Sequence, residues 1–109
     1  MNGRTYAYLI KDALRISIPD LVKYIEQIGG SMNIKPVQFT DMYAKVYVND
    51  KTDIFTALSE YIDTKIMDEQ ANDVGDMKYA KEIICDNLDI FFDVSPINEN
   101  MYTIEIVDE

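Results

Sequence analysis

Hydrophobic spacing changes period along this chain, from helix-like to strand-like, and then repeats the change. That order restricts the fold more than any composition figure. Tyr6, Leu9, Ile10, Ala13 and Leu14 fall at i, i+3, i+4, i+7 and i+8, one apolar stripe of a helix over 5–14 that Thr5 can cap. A second helix begins after Ser17, a suitable N-cap, with Pro19 and Asp20 in its first turn. Its inner stripe is Leu21, Val22, Ile25 and Ile28, and Gly29-Gly30 is the expected stop. The period then falls to two. A strand over 33–39 is limited to an edge or a bulge by Pro36, and Thr40 and Asp41 suit a turn. The clearer strand covers 42–48, where Met42, Ala44, Val46 and Val48 alternate with Tyr43, Lys45 and Tyr47.

The second half repeats the order. A third helix is predicted over 53–66, with Ile54, Phe55, Leu58, Ile62 and Ile66 inward, followed by a polar loop over 68–75. A fourth starts at Asp76, with Met77, Ala80, Ile83, Ile84 and Leu88 inward. The segment 89–94 suits either state. Its β-branched and aromatic residues, running into Ser95-Pro96, favour a strand beyond Leu88 with Ile90, Phe92 and Val94 on one face. A hairpin loop over 96–99 leads to a last strand over 101–107. The prediction is an α+β fold: one domain over 1–109 in the order ααββααββ, with an antiparallel sheet of about four strands against three or four helices. The run from Met42 to Asp50 resembles the run from Met101 to Glu109, so an internal duplication is open.

Charge is distributed unevenly over this framework. Up to Lys51 the chain carries seven basic side chains against five acidic ones; from Thr52 onward it carries three against fifteen. An imbalance between halves points to a charged surface with a partner of opposite sign. If the fourth helix continued past Leu88, then Glu82, Asp86, Asp89 and Asp93 would line one face at intervals of about one turn. Glu60 and Asp63 share a polar face of the third helix, with Asp68 near its end. Two unit charges ~6 Å apart in water repel by about 0.7 kcal/mol, so a row of acids works against stability. Tyr61 and Tyr79 lie near these acids as candidate aromatic anchors.

Several chemistries are excluded or disfavoured. The chain has no histidine, which rules out Ser-His and Cys-His nucleophile activation and His-containing zinc sites within it. The single Cys85 falls in an apolar helical pattern and suits a reducing cytoplasm. The run from Asp68 to Asp76 fails as a calcium loop, with Asp73 where glycine is needed and Tyr79 where a bidentate Glu is needed. No apolar run fits a signal peptide or a membrane span. Tyr43, Lys45 and Tyr47 form an aromatic–basic strip, but the net charge of −10 argues against direct nucleic-acid binding, and the same side chains can pack under a helix or anchor a protein interface. Arg4, Lys11, Arg15 and Lys23 in the first half leave a homodimer open.

The expectation is therefore a non-enzymatic protein without cofactor or metal. It would bind a basic nuclease or effector complex through a surface imitating nucleic acid, using Glu60, Asp63, Asp68, Glu82, Asp86, Asp89 and Asp93 with Tyr61 and Tyr79. In composition, though in no motif, such a domain looks like phage anti-defence proteins of the anti-CRISPR or anti-restriction type, or like toxin-immunity proteins. The alternatives are an immunity protein or antitoxin against a cationic nuclease toxin, an acidic assembly or regulatory subunit, and a metal enzyme built on carboxylates.

Overall fold

The computed structural model describes residues 5, 7–9, 11, 14, 16–69 and 86–107. The elements are α1 (Ile18–Met32), β1 (Ile34–Phe39), β2 (Tyr43–Val48), α2 (Lys51–Glu69), α3 (Leu88–Phe91), β3 (Phe92–Pro96) and β4 (Met101–Ile106). Thr5, Ala7, Tyr8, Leu9 and Lys11 are helical as well. This is the predicted α+β fold, with one four-stranded antiparallel sheet in the order β1-β2-β4-β3. Two hairpins meet at its centre, where β2 pairs with β4.

Each element forms for a local reason. The Ser17 hydroxyl accepts the Asp20 N–H at 3.2 Å, so the predicted N-cap of α1 is in place. The expected stop at Gly29-Gly30 is wrong: α1 runs on to Met32. It ends at Asn33, whose φ of 52° is the left-handed conformation that closes helices. Asp50 caps α2, accepting the Thr52 N–H at 3.0 Å and the Thr52 hydroxyl at 2.8 Å. The helix therefore starts before 53 and also extends past 66, taking in Asp68 and Glu69 from the predicted loop over 68–75. In the β1–β2 turn, the Thr40 hydroxyl accepts the N–H groups of Met42 and Tyr43. Asn98 Oδ1 does the same for Asn100 and Met101 in the β3–β4 hairpin.

The core lies on one face of the sheet. Ala44, Val46 and Val48 of β2 and Ile104 of β4 are buried with Leu21, Val22 and Ile25 of α1 and Ile54, Leu58 and Ile62 of α2. The alternation in β2 is as predicted except at its start: Met42 lies in the turn and is 80% exposed. The predicted bulge falls at Pro36/Gln38. The stripe assigned to 5–14 is displaced, since Ala7 and Leu14 are buried while Leu9 is 52% exposed. Lys11 explains this. It lies half-buried, and its ammonium donates to the Val107 carbonyl, so a residue counted as polar occupies an inner position. Tyr6, Ile10 and Ala13 lie outside the described residues, as do the predicted loop over 70–75, the fourth helix up to Cys85 and its inner residues Met77, Ala80, Ile83 and Ile84.

The segment 89–94 is half corrected. Asp86 is helical, Asn87 lies in a turn, and α3 then makes one short turn over Leu88–Phe91 before the strand begins at Phe92. Ile90 is thus buried from a helix and not from a strand. The duplication also fails in its proposed register. Matching Met42 to Met101 would set the buried Ala44 and Val46 against Thr103 and the exposed Glu105, on the opposite side of the sheet.

Two substitutions test these assignments. Ile104→Ala, at a fully buried central position, should lower the unfolding free energy by about 2–5 kcal/mol in urea titrations. Asn33→Ala should cost about 1–2 kcal/mol, whereas Asn33→Gly should leave stability nearly unchanged, because only the left-handed backbone is at issue.

Candidate acidic interface

Strand register decides which acids meet. Val107 N–H donates to the Phe91 carbonyl at 3.0 Å and Ile97 N–H to the Met101 carbonyl at 2.8 Å. Two-residue alternation then makes Asp93 and Glu105, which are register partners, a hydrogen-bonded pair with Cα atoms ~5.5 Å apart. Both are exposed and on the face away from the helices. Across the other edge of β4, Glu105 faces Tyr43. Like charges directly opposite in a sheet are destabilising by about 0.2–1 kcal/mol.

Asp93 borders two depressions. One is a groove of about 560 Å³ lined by Asp41, Met42, Asp93, Glu105, Ile106 and Val107. The other is a notch of about 220 Å³ where α2 meets α3 and β3, with Phe55, Leu58, Leu88, Phe92 and Val94 as apolar walls and Asp89 and Asp93 beside them. Asp89, Asp93, Glu105 and Asp41 thus form a continuous anionic corner. Among the described residues, no basic side chain is ion-paired with Asp41, Asp93 or Glu105.

The predicted site residues divide. Asp89 and Asp93 come together in one wall, and Asp86 is exposed just before α3. They do not form the helical row that a continued fourth helix would give, because a turn at Asn87 interrupts the helical residues and Asp93 belongs to a strand, the state favoured for it above. Glu82 and Tyr79 lie outside the described residues. Asp68 is in the last turn of α2. Glu60 and Asp63 are half-buried on α2 and lie on the α1 side, where their charges act on Tyr24. Burial pushes the Tyr24 phenol up; a hydrogen bond with Thr64 opposes this, and the two carboxylates add to it.

Tyr61 is not a surface anchor. It is 2% exposed, with its ring centroid 5.8 Å from that of Tyr24 and 6.4 Å from that of Phe92. Its hydroxyl donates to Asp20 at 2.8 Å and accepts the Ser17 N–H at 3.4 Å. Burial pushes this phenol up, and so does the bond to Asp20, so it stays protonated. Lys65 completes the clamp, 2.5 Å from Asp20 and over the Tyr61 ring at 5.8 Å. For Asp20, burial raises the carboxyl pKa. The bonds from Lys65 and Tyr61 and the charges of Lys65 and Lys23 outweigh that and hold it below the usual value.

Sequence reasoning missed Asp41 and Glu105 as site residues. The alternation of Ile104 and Ile106 already places Glu105 on the outer face. Only the pairing register, which no local signal carries, places it opposite Asp93. The strip of Tyr43, Lys45 and Tyr47 also lies on that outer face, with Tyr47 exposed, and not against the helical layer.

The clamp gives a pH prediction. A carboxyl held low in the folded state contributes stability that is complete above the unfolded value of about 3.9 and is lost as the pH falls through the depressed folded value. Asp20→Asn should therefore differ from wild type by a constant amount above about pH 5, and the difference should shrink progressively as the pH is lowered below about 4 in denaturant titrations. A difference independent of pH would refute the assignment.

No family model matches this sequence, and no curated protein or solved structure shows significant similarity to it.

Proposed function

We propose that this protein is a non-enzymatic inhibitor that docks its anionic corner onto a basic, nucleic-acid-handling protein, of the anti-CRISPR or anti-restriction kind, in the cytoplasm. One observation carries the reading: Asp93 and Glu105 face each other across β3 and β4 with no basic partner among the described residues, and Asp41 and Asp89 border the same two depressions. Such a pair costs stability. Either side could exchange an acid for lysine and gain a cross-strand attraction, so its presence is explained by a partner that supplies the positive charge. A groove built to bind phosphates with Lys and Arg is that kind of partner. The carboxylates occupy it in place of nucleic acid, and the inhibitor needs no chemistry of its own.

The corner is also preorganised. Asp93 and Glu105 stand on paired strands, so less side-chain and backbone freedom is lost on docking than from a loose acidic tail. Attraction between unlike surfaces accelerates association and is screened by salt.

Asp93→Lys separates function from stability. It converts a like-charge pair into an opposite-charge pair, so the unfolding free energy should rise by about 0.2–1 kcal/mol. Binding to a basic nuclease or effector complex should weaken, with the loss concentrated in the association rate at low salt. The measurement is a binding titration of wild type and Asp93→Lys against a panel of such complexes at low and high ionic strength. Affinities that respond neither to salt nor to the substitution would end the proposal.

A further inference from the structure

The anionic corner is flanked by apolar surface of defined size. The notch between α2, α3 and β3 measures about 220 Å³. Sites for small-molecule ligands run to about 300–1,000 Å³, whereas an apolar cavity of about 150 Å³ holds benzene. The notch thus fits one aromatic ring or branched aliphatic side chain. Its neighbour is a groove of mixed lining, with Met42, Ile106 and Val107 supplying apolar surface and Asp41, Asp93 and Glu105 supplying carboxylates. That combination suits an arginine, whose alkyl stem covers apolar surface while its guanidinium bonds carboxylates in pairs. Asp93 borders both, so the two occupants would be close neighbours in one segment.

We propose that the notch beside Asp89 and Asp93 is an anchor socket for a large apolar side chain carried next to arginine on a basic segment of the partner. The inference rests on the acidic docking described above and adds what the partner must present. Charge complementarity selects the occupant: an apolar segment flanked by acids would bring carboxylates against Asp93 and Glu105, whereas one flanked by arginines meets them with the opposite charge.

The probes are two short arginine-rich peptides, identical except for one central residue, phenylalanine in the first and alanine in the second. Burying the ring should make the phenylalanine peptide bind about tenfold tighter or more. Methyl resonances of Leu58, Leu88 and Val94 should shift with that peptide and not with the alanine one. Val94→Phe, which fills the notch, should abolish the difference between the two peptides; if that variant does not fold, the methyl map of the wild-type protein decides. Equal binding of the two peptides would overturn the socket and leave the acidic surface standing. Binding of neither would overturn both. Phenylalanine-dependent shifts at the exposed Leu9 or Ile97 would place the anchor elsewhere and overturn the socket.

Discussion

Ala44, Val46 and Val48 on β2 and Ile104 on β4 lose nearly all their exposure to helices on a single side of the sheet. Side chains on a strand alternate between faces, so that burial fixes where the intervening residues go. Tyr43, Lys45, Tyr47, Thr103 and Glu105 are sent to the other side. A slip of one residue between β3 and β4 would expose Phe92 and bury Asp93, an outcome the hydrophobic face forbids. The meeting of Asp93 and Glu105 is therefore imposed by the core. The choice of acids at both positions is not, and that choice needs a reason outside the fold.

Carboxylates in this protein are used in two distinct ways. Asp20 is partly covered, bonded by Tyr61 and ion-paired with Lys65, and it joins the start of α1 to the middle of α2. Its value lies in satisfying the buried Tyr61 hydroxyl. A hydrogen bond to a charged group contributes about 1.5–3 kcal/mol, whereas a largely exposed ion pair contributes about 0–1. Asp93 and Glu105 are exposed and face one another, and among the described residues neither is bonded to a buried polar group. Truncating Asp20 would strand a buried phenol; truncating Asp93 would relieve repulsion. The same residue type stabilises the helical layer and costs stability on the outer sheet face.

Much of the architecture was legible in the sequence because it is written in local periods. The inward set of β2, the Ser17 cap and the Pro36 bulge all follow from residues within one element. Three things do not follow from hydrophobic period. The end of α1 depends on Asn33 adopting a left-handed backbone after two glycines that the helix tolerates. The inner face near the start of the chain depends on Lys11 finding the Val107 carbonyl, a residue from the opposite end. The acidic site depends on β3–β4 register. Spacing along a continued helix groups Asp86, Asp89 and Asp93; the structure brings only Asp89 and Asp93 to one notch, through a helix-to-strand junction, and sets Glu105, which that spacing leaves out, opposite Asp93 across the sheet. Tyr61 misled in the opposite direction: an aromatic beside acids in sequence was read as surface, and the structure buries it under Asp20.

Comparison with nucleic acid sets how far charge alone can carry recognition. Duplex DNA carries one charge per about 1.7 Å of axis. Here the Asp93–Glu105 pair has Cα atoms ~5.5 Å apart, and residues two apart on a strand are separated by about 6.8 Å. The corner is a sparse copy of a phosphate backbone. Four exposed acids at about 0–1 kcal/mol each supply at most about 4 kcal/mol, while a micromolar complex needs about 8. Electrostatics at this density sets the rate and orientation of encounter more than its strength. The remaining affinity has to come from apolar surface, and a carboxylate that borders both an apolar notch and a like-charged neighbour is where the two contributions meet. Asp93 occupies that position because β3 begins immediately after α3, turning one side of the strand toward the helices and the other toward Glu105.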